Sequence, residues 1–331
     1  MMINVFISAA FLLLSPASAT ISSARVAEPS GAVANGSSLP ARAGAAEERN
    51  TWVWSHRDNG VLMEIRVEGK VAFTDDYSDI RSVSEDGLFQ ARDERGGVAR
   101  KLRVVRGADG APERSYFVNG RKRELDAEGR AWLAKFLLEA VRGSGLDAKA
   151  RVLRILQERG ARAVLDEISL IKGDYAKRLY FETLIKEGAL SGDNLESALR
   201  QAAREISSDY ELAVFLIESV DKYLAVDKMI PVFFEATRKI GSDYEHHRVL
   251  SAVVEKRPDR RVLAPMLESA ASISSDYEKA SFLIEAASLY MAEANLRSAF
   301  MKTVNSISSD YERGRVLSVV AKKTQFGSTS D

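Results

Sequence analysis

Between Ile171 and Glu312 the phrase Ile-Ser-Ser-Asp-Tyr-Glu, or a close variant, occurs five times, with its Asp-Tyr pairs at Asp174-Tyr175, Asp209-Tyr210, Asp243-Tyr244, Asp276-Tyr277 and Asp310-Tyr311. Successive aspartates lie 35, 34, 33 and 34 residues apart. A fixed period of that size is the signature of a helical repeat array. Each copy is a supersecondary unit that cannot bury its apolar face alone, and stacking on a neighbour closes it. Such arrays present surface and rarely carry chemistry. The fold class expected is α+β: a small antiparallel β domain followed by an α-solenoid of about five helix-pair repeats with a period of about 34 residues.

Within each copy the apolar residues hold a helical phase. Six, seven, ten and eleven positions after Asp come Phe215, Leu216 and Val220 in the second copy, Val249, Leu250, Val253 and Val254 in the third, and Val316, Leu317 and Val320 in the fifth. The preceding helix carries Leu195, Ala198, Leu199, Ala202 and Ile206, then Met229, Val232, Phe233, Ala236 and Ile240, and last Leu296, Ala299, Phe300, Thr303 and Ile307. The polar phrase between the two helices reads as a capping box. Ser208, Ser242, Ser275 and Ser309 each stand three residues before Glu211, Glu245, Glu278 and Glu312. Ser and Glu would satisfy each other's orphan backbone N–H groups, and a Ser cap contributes about 1 kcal/mol. Asp at the first helical position favours the positive end of the helix dipole. The first copy, Lys172-Gly173-Asp174-Tyr175-Ala176, lacks both partners of the box and reads as a degenerate entry repeat; Leu146–Leu156 reads as a still more worn copy.

Upstream of residue 126 the period changes. Val61, Met63, Ile65 and Val67 alternate with Leu62, Glu64, Arg66 and Glu68, the pattern of a half-buried strand. Asn59-Gly60 and Asn119-Gly120 are hairpin turns, because both positions accept positive φ. Further strands are expected at Val71–Phe73, Ile80–Ser84, Leu88–Asp93, Val98–Arg106, Ser115–Val118 and Arg121–Leu125, forming an antiparallel sheet or a partly rolled barrel. The segment Ala127–Arg142 is a nearly all-round apolar helix placed to bridge sheet and repeats. The apolar run Val5–Leu14 followed by Ala17-Ser18-Ala19 reads as a signal peptide over residues 1–19, with an uncleaved anchor as the alternative. Residues 20–50 read as a flexible linker, 51–125 as the β domain, 126–323 as the solenoid and 324–331 as a disordered tail. The expected location is exported, periplasmic or extracellular, with no transmembrane span in the mature chain.

Candidate chemistry is sparse. Cysteine is absent, which removes disulfides, thiolate metal sites and cysteine nucleophiles. The three histidines are His56, His246 and His247, with no His-Glu-x-x-His phrase. His246 and His247 point about 100° apart on a helix and read as a solvated face rather than ligands; His56 reads as a turn-flanking surface residue. Gly143-Ser144-Gly145 is a linker signal without a phosphate-loop context. No enzyme, cofactor or metal is expected. Two surfaces are candidates for binding. The tyrosines Tyr175, Tyr210, Tyr244, Tyr277 and Tyr311 fall one per copy, either packing between repeats or forming an aromatic ladder for a peptide or glycan. Residues 92–123 hold ten Lys/Arg against four Asp/Glu, including Arg100, Lys101, Arg103 and Arg106 on one strand and Arg121, Lys122 and Arg123 after a hairpin. That excess reads as a solvated sheet face or as a dock for an anionic polymer or acidic partner. Lys+Arg and Asp+Glu both number 47, so the whole molecule has no polyelectrolyte character, and nucleic acid is not an expected partner.

The helical part resembles HEAT-like α-solenoids and lacks the Trp-Leu-Gly and Pro pattern of tetratricopeptide repeats. More narrowly, the run WVWSHRDNG, EIRVEGKVAFTDDYSDIRSVS and ELDAEGRAWLAKFL followed by SSDYE copies resembles the extracytoplasmic region associated with bacterial antirepressor-type, beta-lactam-sensing membrane metallopeptidases. The likeness covers Trp52 to Lys323. The zinc motif of that family is absent, so proteolysis does not carry over. What the resemblance implies is a non-catalytic interaction scaffold or sensor module of the bacterial envelope, with a protein or peptide partner such as a membrane-bound signalling peptidase. The alternative is a structural envelope protein that docks on anionic polymer through its basic β domain.

Overall fold

The computed structural model describes residues 51–188 and 190–326. The expected signal segment, the linker and the last five residues of the tail lie outside the described residues. The chain divides into two compact units, the boundary falling between Leu138 and Glu139. That boundary lies inside a helix rather than at residue 125. Among the described residues there are eight strands and eleven helices, a mixed α+β chain.

In the first unit, β1 (Thr51–Asp58), β2 (Val61–Glu68), β5 (Leu88–Arg95), β6 (Val98–Arg106), β7 (Pro112–Val118) and β8 (Arg121–Arg123) form one antiparallel sheet in the order β1-β2-β5-β6-β7-β8. The strands β3 (Val71–Phe73) and β4 (Ile80–Val83) make a separate hairpin. Three tight turns set the register. Asn59-Gly60 and Asn119-Gly120 both have positive φ at each residue, as their composition demands, and Gly96-Gly97 supplies the same geometry between β5 and β6. That third turn lengthens β5 to Arg95, beyond the expected Asp93. The inner face buries Met63, Ile65, Val67, Phe89, Ala91, Leu102 and Val104. Phe73 of the hairpin meets Phe89 edge-on at 5.8 Å. The first part of α1 (Ala127–Ser144) brings Trp132 against Tyr116, with ring centroids 5.4 Å apart, and the indole Nε1–H donates to the buried Asp93 at 2.8 Å.

The second unit contains α2 (Ala148–Ile168), α3 (Asp174–Lys186), α4 (Gly192–Glu205), α5 (Asp209–Leu224), α6 (Met229–Thr237), α7 (Asp243–Glu255), α8 (Arg260–Ala271), α9 (Asp276–Ala292), α10 (Ala294–Asn305) and α11 (Asp310–Phe326). The last helix therefore runs through residues 324–326, which were expected in the tail. In α2 the backbone breaks at Gly160, whose φ of 79° is left-handed, so the worn copy and the helix after it form one kinked element. The helices pack in two alternating series. In the first, α3, α5, α7, α9 and α11 each contact the next; in the second, α4, α6, α8 and α10 do. The apolar stripes read from the sequence form one continuous core from Ala148 to Val316. Each fully buried Leu, Phe or Val stabilises by roughly 1.5–3 kcal/mol, so this core dominates the caps. Among the described residues none of the helices is long and apolar enough to cross a membrane.

Two stripe positions depart from expectation, both in the last copy. Ala299 is exposed, although Ala198 and Val232 at the same position are buried. Leu317 is 39% exposed, whereas Leu216 and Leu250 are fully buried. Those positions face the next member of their series, and among the described residues α10 and α11 are the last members of theirs. At the other end, Glu167 stands where later copies carry Ala202, Ala236, Ser269 and Thr303. It accepts from Arg142 at 2.8 and 3.1 Å and from Arg151 at 2.8 Å. Burial alone would raise its pKa, but those two guanidiniums hold it below the usual carboxylate value.

Candidate interaction surface

The polar phrase between helices is built differently from a capping box. Half of the expectation holds: Ser208, Ser242, Ser275 and Ser309 each accept from the backbone N–H of Glu211, Glu245, Glu278 and Glu312 at 3.3 Å. The reciprocal bond from Glu to the Ser N–H is replaced. That N–H donates instead to the aspartate of the preceding copy, and so does the residue before it. Asp174 accepts from Ser207 at 3.0 Å and Ser208 at 2.8 Å; Asp209 accepts from Gly241 at 2.9 Å and Ser242 at 2.8 Å. Asp243 accepts from Ser274 at 3.0 Å and Ser275 at 2.7 Å; Asp276 accepts from Ser308 at 3.1 Å and Ser309 at 2.8 Å. One carboxylate thus joins the start of each helix in the α3–α11 series to the start of the next, and the series runs parallel.

The glutamates freed from capping meet basic side chains instead. Glu211 accepts from Arg178 of the preceding copy at 2.5 Å, and Glu278 lies 2.7 Å from His247 of the preceding copy. Glu245 and Glu312 are each served within their own copy, by Arg248 at 2.5 Å and Arg315 at 2.6 Å. The source of the partner alternates because Ala213 and Ala280 occupy the position that Arg178 and His247 hold.

The tyrosines are not packed between copies. Tyr210, Tyr244, Tyr277 and Tyr311 are 54%, 58%, 58% and 75% exposed, and Tyr175 is half-buried. They project from the first turn of α3, α5, α7, α9 and α11. Guanidiniums lie over them: Arg178 is 5.1 Å from the Tyr175 ring centre and Arg315 is 5.5 Å from Tyr277. Arg248 sits between two rings, 5.7 Å from Tyr210 and 6.0 Å from Tyr244. These arginines belong to the surface and were missed in the sequence. Their signal was available, since Arg248 and Arg315 both stand five residues after Asp in alternate copies.

The remaining candidates are dispersed. His246 is buried, against the expectation of a solvated face. Its Nε2 lies 2.9 Å from Ser269 Oγ, and burial pushes its pKa down to about 4. The aligned Leu212, buried in the second copy, marks this position as inward-facing. His247 is largely covered, its ring lying 3.3 Å from Glu285 as well as near Glu278. His56 is half-buried and stacks on Trp54 at 6.0 Å. The basic excess of the sheet does not form one face. Register places Lys101, Arg103 and Lys122 on the outer side, and Arg100, Arg121 and Arg123 on the other. Arg100 donates to Glu128 at 3.0 Å, and Arg92 is held by Glu64 and Glu94. A depression of about 330 Å³ beside Lys101 and Phe117, and one of about 490 Å³ beside Leu153 and Leu179, are open and shallow. Among the described residues no three His, Asp or Glu side chains converge as a metal site would need. No protein-family model, curated protein or solved structure matches the chain, so the surface stands on its own geometry.

Proposed function

We propose that the helical unit is an α-solenoid of five helix-pair repeats that acts as a non-catalytic interaction scaffold, taking a protein or peptide partner along the tyrosine row. The alternating order of helix packing and the aspartate joints between parallel helices support the solenoid reading. One observation carries the function. The five copies serve as internal replicates, and four of the five residues that recur around Asp have work inside the fold. Ile is buried in the core, Ser caps, Asp joins copies and Glu is held by a basic side chain. Tyr recurs in all five copies and yet leaves most of its ring in water at four of them. A large amphipathic ring kept exposed at regular spacing is suited to contact. The protein is exported on this reading, and a signalling peptidase made as a separate chain is the partner that the sequence resemblance favours.

A photoreactive phenylalanine analogue placed at Tyr244 tests this in cells, with the exposed Glu268 of α8 as control site. The expected result is a discrete adduct from position 244 alone, lost when Tyr210 and Tyr277 are both changed to Ser. Equal adducts from both sites, or an adduct insensitive to the neighbouring tyrosines, would remove the row as the binding surface.

A further inference from the structure

We infer that the tyrosine row takes a segment in the polyproline II conformation carrying proline at every third residue. This rests on the row being the binding surface and names the chemistry of what lies along it.

The argument begins with pitch. Packed helices lie about 8–10 Å apart, so a row with one ring per helix advances by about that distance per ring. The shared guanidinium of Arg248, within 6.0 Å of two successive ring centres, shows that neighbouring rings are close enough to act together. A polyproline II segment rises about 3.1 Å per residue with three residues per turn, so every third residue returns to the same face after about 9 Å. A β-strand does not match. Its same-face residues recur every two, at about 7 Å, and the third residue points away. An α-helix matches in length, since seven residues rise about 10 Å, but its backbone is already hydrogen-bonded internally.

The groups left outward at the helix starts decide between these last two. The carboxylates of the phrase are turned inward: Glu211, Glu245, Glu278 and Glu312 have side-chain exposures of only 11%, 12%, 15% and 13%. Asp174, Asp209, Asp243 and Asp276 are occupied by backbone N–H groups. Asp310 of the last copy is the exception, its side chain 90% exposed; what otherwise points outward at the helix starts is phenol hydroxyls and the edges of Arg248 and Arg315. Those outward groups are hydrogen-bond donors. Their complement is a backbone whose carbonyls have no internal partner, and polyproline II is the regular conformation that leaves every carbonyl free. The ring faces meet pyrrolidine rings, as aromatic-lined grooves do for proline-rich ligands.

Fluorescence anisotropy with the full chain tests this. The probes are a fluorescein-labelled fifteen-residue peptide with Pro at every third position, its isomer with the same prolines at irregular spacing, and a helix-forming peptide with Leu at every seventh position. The periodic peptide is expected to bind at least tenfold tighter than either. The double change of Tyr210→Ser and Tyr244→Ser is expected to weaken it at least tenfold with far-UV circular dichroism and the thermal midpoint unchanged, and Arg248→Gln about threefold with the dichroism unchanged. Equal binding of both proline isomers, preference for the helical peptide, or binding indifferent to the double change would overturn the inference. If the Tyr244 crosslink persists while the periodic peptide shows no preference, the ligand chemistry fails and the row survives. Loss of the crosslink removes both.

Discussion

On the sheet, Arg92 lies between Glu64 and Glu94 on a face open to water, its side chain 46% exposed. In the helical unit, Asp243 lies between two backbone N–H groups at the start of α9. Both arrangements pair opposite charges or dipoles at good distance, but they differ in what happens when the pair is lost. Water replaces the partners of Arg92 at little cost, because exposed ion pairs contribute about 0–1 kcal/mol. Of the N–H groups facing Asp243, that of Ser274 is open to water but that of Ser275 is partly buried at the helix start, and a bond to a charged acceptor contributes about 1.5–3 kcal/mol. Charge on the sheet therefore decorates an architecture set by register and apolar burial. Charge in the helical unit joins one copy to the next.

Acid should separate the two units most sharply. His246 has its folded pKa held near 4 by burial, below the 6.5 of an unfolded chain. Between those values the unfolded state binds the extra proton, so stability is complete above about pH 6.5 and is lost as pH falls toward 4, by up to about 3 kcal/mol. Glu167 adds a loss at lower pH, since its pKa is also held down. Both residues belong to the helical unit. All three tryptophans, Trp52, Trp54 and Trp132, belong to the other, so fluorescence and helical dichroism report the units separately. On lowering the pH the dichroism should weaken before the fluorescence changes, and His246→Gln should flatten that difference. Coincident transitions would break the comparison. Next in size, Asp243→Ala should lower the urea-derived stability of the helical unit by about 2–3 kcal/mol. A loss under about 0.5 kcal/mol would put the joint on a par with a surface pair. Smallest, Arg92→Ala should change sheet stability by less than about 1 kcal/mol, and that change should shrink in high salt.

Most of the helical architecture was legible because five copies repeat one signal. The stripes at Leu195–Ile206 and Met229–Ile240 are buried as read, and each serine does cap its helix. The destination of the aspartates was hidden by the same regularity. When every copy carries the same phrase, a bond from Asp243 to its own turn and a bond to Ser275 one period later leave the same trace in the sequence. The end positions Ala299 and Leu317 were misread for a related reason, since a stripe records what faces a neighbour and not whether the neighbour is there. The sheet offered no replicates. Its hairpins were visible through Asn59-Gly60 and Asn119-Gly120, but the basic run was read as one cluster along the chain. Strand pleating sends Arg100 to the face opposite Lys101, and only pairing with Val118 and Phe117 makes that division explicit.

The aspartate joints also fix how the helical unit would respond to being pulled. Each carboxylate clasps only the copy that follows, so pulling on the two ends of the helical unit loads the joints at Asp174, Asp209, Asp243 and Asp276 one after another, beside the apolar contacts between the same copies. Links in series fail singly: the weakest opens first and slackens the rest. Pulled from its ends, the helical unit would lengthen in steps of one period, and the copies still closed would keep their contacts.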